Sequence, residues 1–455
     1  MKRWLARHRP RIPLDRSYGT VGLSPPVTLA VLFLALIVVG TLLLKLPFAA
    51  THAIGWLDAV FTATSAVTVT GLTVVDTGTA FTTFGQVVIL LLIQFGGLGI
   101  VTFAVMVYLL LGERVGLRQQ VMLYQDLNST SLGDVMRLVR VIVVVVVVAE
   151  LAGTVLLAVR WVPDMGLAHG LWVALFHAVS AFNNAGFSLW SDSLARWAGD
   201  PAINVVVPAL FIVGGIGFSV IGDLRHREPW RRRTIHTRLM LLGTLVLIAW
   251  SVAVTAALEW NNPGTLGALH GWWPRLQAAW FQGVTTRTAG FSSVDISRLE
   301  PDTVLTYMSL MFIGGGSTST AGGIKVTSLV ILLAATWSFL RRRREVIVFG
   351  RSVRQEDILR VLALVFIGLL LLMIGTFLLV LTQPLPFLDL AFEATSAFGT
   401  VGLSRGVTTA LDPFGRLVIM ILMFVGRLGP LALGFMLATP SRSRLRYPSG
   451  VVQLG

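Results

Sequence analysis

The chain has 455 residues, of which 55% are hydrophobic and only 13% are charged. Soluble globular domains carry about 25% charged residues, so this composition excludes a soluble enzyme, a disordered protein and a fibrous protein. The net charge of +14 comes from 36 Lys and Arg against 22 Asp and Glu. In a chain this apolar, the excess fits cytoplasmic loops of a membrane protein better than nucleic-acid binding. The absence of cysteine excludes disulfides and thiol chemistry.

Apolar runs in the sequence predict eight membrane spans. About 20 apolar residues suffice for one crossing, and a shorter apolar piece lies between the members of each pair of runs. These pieces are too short to span and fit re-entrant helices, whose backbone ends must face water or protein. The spans are predicted at 26–49, 80–111, 138–162, 203–223, 237–258, 302–339, 357–383 and 413–438. The short pieces are predicted at 56–70, 170–185, 276–289 and 387–401.

The basic residues predict how the chain is oriented. Clusters lie in both terminal tails and near 114–118, 225–233 and 341–344. All are on the side reached after an even number of spans, so the positive-inside rule places both termini in the cytoplasm of a multi-pass cell-membrane protein. The basic segment before the first span lacks a small-residue cleavage site, so that span is expected to be retained.

The predicted fold is an all-α integral membrane protein made of four tandem units. Each unit is a helix, a re-entrant helix and a second helix, and the four units surround a pseudo-fourfold pore. The predicted segments are a basic cytoplasmic tail at 1–25, repeat 1 at 26–112, repeat 2 at 136–224, repeat 3 at 236–340 with a broken second helix, repeat 4 at 357–440, and a C-terminal tail at 441–455.

The four short pieces share one sequence motif. An aromatic residue stands ten positions before a glycine, a bulky apolar residue follows the glycine, and a Ser or Thr comes next. One glycine at a helix end is usually a left-handed cap, whereas four aligned motifs with shared flanks indicate an internal repeat. The aromatics are Phe61, Phe176, Trp280 and Phe392, and the glycines are Gly71, Gly186, Gly290 and Gly402.

The repeated glycine predicts a ring of backbone carbonyls that replaces the water shell of a cation. Rings of this kind form the filters of potassium channels. Glycine allows the backbone angles that turn the carbonyls inward, and the C-terminal ends of the short helices contribute a negative dipole. The predicted filter residues are Val69, Thr70, Gly71, Asn184, Ala185, Gly186, Thr288, Ala289, Gly290, Thr400, Val401 and Gly402.

The second helix of each unit carries another repeat, in which Gly97, Gly215 and Gly315 align with Arg427. Three positions without side chains leave room for one guanidinium, although such glycines also fit close helix packing. A charge in mid-span is costly and indicates function by default. At roughly 7 Å and an effective dielectric of about 20, Arg427 would repel a cation by about 2 kcal/mol. The alternative is a structural pair with a carboxylate or with carbonyls.

The sixth span is predicted to be broken by a glycine-rich segment. Residues 314–323 are Gly, Ser, Thr and Ala, and irregular backbone at membrane depth must face a cavity or protein. This segment is expected below the filter and beside Arg427, and it is predicted to be a movable gate. Lys325 is predicted either to tether the segment or to line the exit of the pore. The predicted gate residues are Gly314, Gly315, Gly316, Ser317, Thr318, Ser319, Thr320, Ala321, Gly322, Gly323, Lys325 and Arg427.

Two other charged residues lie within the predicted membrane region. Arg287, three residues before Gly290, is expected to brace its loop from behind, with Glu393 as a candidate partner. Glu150 lies within a span after a run of valines, and the sequence names no partner for it. Buried charges of this kind are functional or structurally paired.

These motifs together resemble the Trk/Ktr/HKT superfamily of potassium transporters over residues 20–440. The resemblance rests on the filter repeats, on the Thr-Arg-Thr-Ala-Gly-Phe motif at 286–291, on the glycine-rich segment and on Phe-Val-Gly-Arg at 424–427. The segments Leu23-Ser-Pro-Pro and Leu44-Lys-Leu-Pro-Phe look like those of KtrB-type membrane subunits.

The resemblance implies a homodimer in the lipid membrane with one pore in each subunit. It implies K⁺ as the transported ion and Na⁺ as a candidate activator. A cytoplasmic ring of KtrA-like subunits would bind nucleotide and dock on the basic inner face, so no nucleotide is expected on this chain. Family members with glycine at all four filter positions select potassium, and those with serine at the first favour sodium. Gly71 therefore points to potassium.

Three alternatives remain open on the sequence alone. A sodium-permeable or sodium-coupled member of the same family has the same fold and a different selectivity. An unrelated secondary transporter also has broken helices, but its sites usually lie between inverted repeats, whereas these four repeats share one orientation. A membrane enzyme is disfavoured, because the predicted spans carry neither clustered histidines nor paired carboxylates.

Overall fold

The computed structural model describes residues 25–99, 132–226, 228–343 and 345–429. Most of the predicted terminal tails, the far ends of the second and eighth predicted spans, and the basic residues near 114–118 lie outside these ranges. The α-helices are α1 (Pro25–Leu44), α2 (Trp56–Thr68), α3 (Thr77–Ala80), α4 (Thr83–Leu98), α5 (Leu132–Met165), α6 (Leu167–Phe182), α7 (Pro201–Ile216), α8 (Phe218–Arg225), α9 (Ile235–Glu259), α10 (Trp272–Thr285), α11 (Pro301–Phe312), α12 (Val326–Leu340), α13 (Gln355–Thr382), α14 (Phe387–Gly399) and α15 (Pro413–Leu428).

A few short elements complete the described chain. The strands β1 (Ile347–Val348) and β2 (Arg351–Ser352) pair antiparallel in a small hairpin between α12 and α13. Single 3-10 turns occur at Ala195–Trp197, Trp230–Arg232, Leu266–Ala268, Ile296–Arg298 and Thr408–Ala410. These elements connect the helices and contribute no separate core.

Helices α7 and α15 begin in the same way. Asp200 accepts hydrogen bonds from the backbone N–H groups at the start of α7, and Asp412 accepts one from Gly415 N at 2.7 Å. These bonds satisfy N–H groups that have no partner inside the helix. Pro201 and Pro413 follow as the first helical residues, where a fixed φ and a missing N–H are tolerated. Local sequence therefore fixes where both helices start.

Within the described residues, four helices are long and apolar enough to cross a membrane. They contain the stretches Val27–Leu44, Val141–Met165, Ile235–Glu259 and Gln355–Thr382. Large apolar side chains such as Leu34, Val155 and Phe377 are exposed on them, as expected of surfaces that face lipid. The pair α7 and α8 adds a fifth candidate. The predicted arrangement of eight spans goes beyond these five and stays a prediction.

The prediction of one continuous span over 203–223 is wrong. Helix α7 ends at Ile216, and α8 starts at Phe218 after a bend of 92°. Gly217 lies at the bend with a φ of +105°, a conformation that only glycine adopts without strain. The N–H of Phe218 donates to Thr318 O at 2.9 Å, so the glycine-rich segment takes up a bond that the helix gives up. The sequence had predicted such a break only in the sixth span.

The helices pack in a cyclic order. In each of four successive units, the helix after a short helix packs against the short helix of the next unit: α4 against α6, α7 against α10, α11 against α14, and α15 back against α2. One buried aromatic of each short helix lies in the resulting core, with no exposed surface: Phe61, Phe176, Phe281 and Phe392.

The third short helix differs from the alignment made on the sequence. That alignment placed Trp280 with the other three aromatics, but Trp280 is only partly buried and Phe281 is the one in the core. Phe281 stands nine residues before Gly290, whereas the other aromatics stand ten before their glycines. The segment from the buried aromatic to the glycine is therefore one residue shorter in the third unit than in the other three.

Candidate functional site

The four short helices end in left-handed turns that lead to the motif glycines. The residue two before each glycine has a positive φ: 57° at Val69, 56° at Asn184, 73° at Thr288 and 50° at Thr400. The glycines themselves have φ values of 91°, 67°, 78° and 92°. Positive φ at a residue with a side chain costs of order 1–3 kcal/mol and persists only where the surroundings enforce it. Each loop is thus held in one unusual conformation.

The four loops meet in a closed ring. A Cβ added at Gly71 would overlap with the carbonyl oxygen of Ala185, and one added at Gly290 would overlap with that of Val401. At Gly186, an added Cβ would lie 3.1 Å from the Ala289 carbonyl oxygen. At Gly402 it would overlap with the Thr70 carbonyl oxygen, which closes the ring. Each motif glycine therefore abuts the carbonyl of the residue before the next motif glycine, and these contacts run around all four loops.

Hydroxyl groups from the short helices brace the ring. The hydroxyls of Ser65 and Ser396 each accept a hydrogen bond from the N–H of the glycine in their own loop at 3.1 Å. In the other two loops the hydroxyl donates instead, to the carbonyl of the residue after the glycine. The four bracing residues, which the sequence did not single out, are Ser65, Ser180, Thr285 and Ser396.

A cavity of about 300 Å³ opens on one side of the ring. All four motif glycines line it, together with the hydroxyls of Ser188, Ser292 and Ser404 and the carboxylate of Asp76. We call this cavity the vestibule.

The glycine-rich segment 314–323 is non-helical and is held by three other parts of the fold. Gly316 N donates to Gly215 O at 2.8 Å, and Thr320 Oγ1 donates to Phe182 O at 3.2 Å. A Cβ at Gly322 would overlap with Thr400 Oγ1, so the segment also contacts the base of the fourth filter loop. Helix α11 ends at Phe312 before the segment, and α12 begins at Val326 after Lys325.

Arg427 reaches the same segment. Its guanidinium donates to the carbonyl oxygens of Thr320, Gly96 and Gly97, the last at 2.9 Å. Because α4 ends at Leu98, its last carbonyls lack helical partners and are available to a cation. Charged hydrogen bonds of this kind contribute about 1.5–3 kcal/mol each. Arg427 thus ties the end of α4 to the glycine-rich segment.

The predicted reason for the aligned glycines is wrong for two of them. The side-chain position at Gly97 is filled by the Asn183 amide and that at Gly315 by the Ala321 methyl, so the guanidinium does not occupy the space they leave. The Arg427 guanidinium instead donates to backbone carbonyls at the end of α4, in the first unit. These glycines permit close packing, which is the other interpretation that the sequence left open.

Arg427 and Lys325 line a second cavity, of about 150 Å³. Lys325 Nζ donates to Ala321 O at 2.7 Å, within its own loop. The C-terminal end of α4 and residues Thr318, Ser319 and Ala321 form much of the rest of the wall. Arg427, Lys325 and the glycine-rich segment therefore lie together, and Lys325 both bonds to the segment and lines the cavity beside it.

The expected pair between Arg287 and Glu393 is absent from the structure. Arg287 Nη2 lies 3.4 Å from Gly314 O, so it reaches the glycine-rich segment. Glu393 is fully buried and accepts hydrogen bonds from Ser404 Oγ at 2.8 Å and from Thr408 Oγ1. Arg287 lies in the turn after α10, whereas Glu393 lies in the middle of α14, and the spacing of residues alone does not reveal which of them meet.

Comparison with known proteins identifies the family of the chain. The TrkH family, described as cation transport protein, matches residues 24–447. The chain belongs to the TrkH family. The resemblance to the Trk/Ktr/HKT superfamily is thereby confirmed, and an unrelated secondary transporter is excluded. With four or five candidate spans in the part of the chain that the structure describes, this family member is a multi-pass membrane transport protein.

Individual relatives agree with this assignment. The chain is 45% identical over 441 residues to Ktr system potassium uptake protein B of Bacillus subtilis, covering 97% of this chain and 99% of the relative. It is 37% identical to the potassium/sodium uptake protein NtpJ of Enterococcus hirae, covering 95% and 98%. The crystal structure of the potassium transporter TrkH from Vibrio parahaemolyticus has the same fold, with a TM-score of 0.71, 20% identity and coverage of 96% and 88%.

Proposed function

We propose that this TrkH-family chain carries K⁺ into the cell through the ring of filter loops. The observation that carries the proposal is the closed ring, in which each motif glycine abuts the carbonyl before the next one and all four glycines line the polar vestibule. Carbonyl rings replace the hydration shell of K⁺ in known filters. The C-terminal ends of four short helices add negative dipoles at the same place. The predicted filter residues at 69–71, 184–186, 288–290 and 400–402 take this role.

The glycine-rich segment and Arg427 form the gate in this proposal. Arg427 holds the segment through Thr320 O and contributes a positive charge beside the ion path. A charge there opposes cation passage by about 2 kcal/mol at a separation of roughly 7 Å. Opening requires the segment to release its bonds to Gly215 and Phe218, which are backbone contacts with α7 and α8.

The relatives support several finer statements that complete the proposal. The Bacillus subtilis relative is named as part of a Ktr system. We infer a homodimer in the cell membrane, with both termini in the cytoplasm and a nucleotide-binding, KtrA-like ring on the basic inner face. Arg225, Arg231 to Arg233 and Arg341 to Arg343 supply charge for that docking. Na⁺ is a candidate activator, and nucleotide binds the partner.

A second candidate function is sodium-permeable or sodium-coupled transport. The name of the Enterococcus hirae relative, potassium/sodium uptake protein, favours it. Glycine at all four filter positions favours potassium. The two functions share a fold and differ in which ion the ring accepts.

The test is ion uptake into bacterial cells that lack their own potassium uptake systems. The chain is produced with and without a KtrA-like partner, and uptake is followed against external K⁺ and Na⁺. We expect saturable K⁺ uptake that the partner increases. Na⁺ uptake of equal size would overturn the selectivity claim. No flux of either ion, with the protein present in the membrane, would overturn the transport function itself.

A further inference from the structure

Glu150 is a carboxylate in the apolar helix α5, and it has partners from two other elements. Gln94 of α4 donates from Nε2 to Glu150 Oε1 at 2.9 Å. Asn183, at the end of α6, donates from Nδ2 to the same oxygen at 3.2 Å and to Gln94 Oε1 at 2.7 Å. The three side chains form a connected cluster, which we call the Glu150 cluster. It joins α5 and the end of α6, in the second unit, to α4 in the first unit.

Asn183 has little freedom within this cluster. It is fully buried, and its Nδ2 also lies 2.9 Å from Val179 O. Its Oδ1 occupies the space that a side chain at Gly97 would need. The next residue, Asn184, has a positive φ and begins the strained turn to Gly186. A shift of the Asn183 side chain would therefore be transmitted to the second filter loop.

The other three filter loops are held differently at the same position. Three residues before their glycines stand Thr68, Arg287 and Gly399. Thr68 donates to Thr64 O within its own helix at 2.8 Å, and Arg287 reaches Gly314 O. Gly399 has no side chain to donate. Among these four described positions, Asn183 is the one bonded to a carboxylate of a spanning helix.

The cluster also adjoins the anchor of Arg427. Gln94 lies two residues before Gly96, whose carbonyl accepts a hydrogen bond from the guanidinium. The Asn183 amide fills the side-chain position of Gly97, the other acceptor in α4. The cluster therefore sits between the second filter loop and the end of α4.

We propose that Glu150 is a positioning residue for the second filter loop, acting through Asn183. Its oxygen accepts from the Asn183 and Gln94 amides. Asn183 Nδ2 also has nearer acceptors in Gln94 Oε1 and Val179 O, so loss of the Glu150 oxygen would leave the Gln94 N–H unpaired and would act on Asn183 through the Gln94 amide. Both bonds go to one oxygen, so an amide oxygen at this position can accept them as well. This inference rests on the proposed filter.

The test compares two substitutions with a control in the same helix. Glu150→Leu removes the acceptor, and Glu150→Gln keeps an oxygen while removing the charge. Thr154→Val is the control, because Thr154 bonds only to the Glu150 carbonyl in its own helix. Purified variants are placed in liposomes, and K⁺ and Na⁺ fluxes are measured as KM and maximal rate. We expect Glu150→Leu to lower the preference for K⁺ over Na⁺ about tenfold, mainly through the KM for K⁺.

Glu150→Gln shows whether Glu150 acts through the acceptor oxygen that it places or through its negative charge. Glu150→Gln should keep the preference within about twofold of the parent protein, as should the control. Equal losses in Glu150→Gln and Glu150→Leu would overturn the inference, because charge would then matter. An unchanged preference in Glu150→Leu would overturn it too.

Asn183→Ala examines the same link from the filter side and covers the case that Glu150→Leu does not fold. It should produce a similar loss, and the double variant should be no worse than the worse single one, since both break one connection. Additive losses would contradict the inference. Gly186→Ser separates the two proposals. If it alters selectivity while Glu150→Leu and Asn183→Ala do not, the filter stands and the positioning role fails; if it has no effect, the filter proposal fails.

Discussion

The filter loops and the glycine-rich segment both depend on glycine, but for different reasons. Each filter glycine has a positive φ and also touches the backbone of the next loop. In the segment 314–323, Gly323 and Thr318 have positive φ, while Gly314 and Gly316 do not. These last two are needed because backbone carbonyls occupy the space of a side chain. The filter is thus set by conformation and contact together, and the segment largely by contact.

This difference predicts two kinds of mutant. A filter loop has turn bonds of its own and hydroxyl braces, so a substitution there distorts the ring and changes which ion passes. The segment is held mostly by bonds to other elements, such as Gly316 N to Gly215 O and Phe218 N to Thr318 O. Releasing those bonds leaves the ring intact and changes how often the path is open. Selectivity and rate should therefore respond separately.

The largest effect is expected for Gly290→Ser. The added side chain would overlap with the Val401 carbonyl and would require a strained positive φ of 78°. The two costs together amount to a few kcal/mol, enough to lower the preference for K⁺ over Na⁺ about 100-fold. Relative fluxes of the two ions in liposomes measure this preference. Gly71→Ser should act in the same direction.

Gly406→Ala is the matched control for that prediction. Gly406 also has a positive φ, of 90°, but nothing lies within 4 Å of an added Cβ. An alanine at this position has the strain of a positive φ but meets no neighbouring atom. The preference of this variant for K⁺ over Na⁺ should therefore stay near that of the parent protein. If Gly406→Ala and Gly290→Ser lowered the preference equally, contact within the ring would not be what distinguishes the filter glycines.

The next effect concerns rate and should come from Arg427→Gln. The substitution removes the charge and weakens the bonds to Thr320 O and Gly96 O. Relief of about 2 kcal/mol of repulsion would raise K⁺ flux by about tenfold or more with selectivity preserved. Deleting Ser317 to Ala321 should raise flux as well. The combined variant should gain little over either one, because both changes release the same segment.

Arg196→Gln serves as the control for the loss of an arginine. Arg196 pairs with Asp192 at 2.6 Å, and its side chain is 47% exposed. Exposed pairs contribute about 0–1 kcal/mol, so flux should be unchanged. An unaltered rate in Arg427→Gln would favour a purely structural role for that residue.

The short helices and the turns at the motif glycines could be predicted from the sequence, because their conformation is encoded locally and the motif occurs four times. Short helices, glycines and the break after residue 313 all follow from patterns within about 15 residues. The partners of Arg427 could not be predicted, since Gly96 lies 331 positions away. The partners of Glu150 likewise lie on α4 and α6. Such contacts depend on how the units pack, which one sequence does not specify.

Two wrong predictions have the same physical origin. The bend at Gly217 was missed because Val-Gly-Gly-Ile-Gly also fits close helix packing, and the bond that stabilises the bend comes from Thr318. The pair of Arg287 with Glu393 was expected from burial alone. Glu393 instead has hydroxyl partners in its own unit, Ser404 and Thr408. A buried charge needs partners, but the sequence does not say which ones.

The smallest effect on ion selectivity is expected when a bracing hydroxyl is removed. It tests whether changes at the ring alter selectivity while changes in the glycine-rich segment alter rate. Ser65→Ala removes the acceptor for Gly71 N, a bond worth about 1 kcal/mol, so the preference for K⁺ over Na⁺ should fall about fivefold at most. Ser396→Ala breaks the corresponding bond to Gly402 N and should match it. Ser309→Ala, which loses only an exposed bond within α11, is the control for ion flux in liposomes. A higher K⁺ flux with an unchanged preference for K⁺ over Na⁺ would contradict the role of these hydroxyls as braces of the ring. That result is the one expected from changes in the glycine-rich segment.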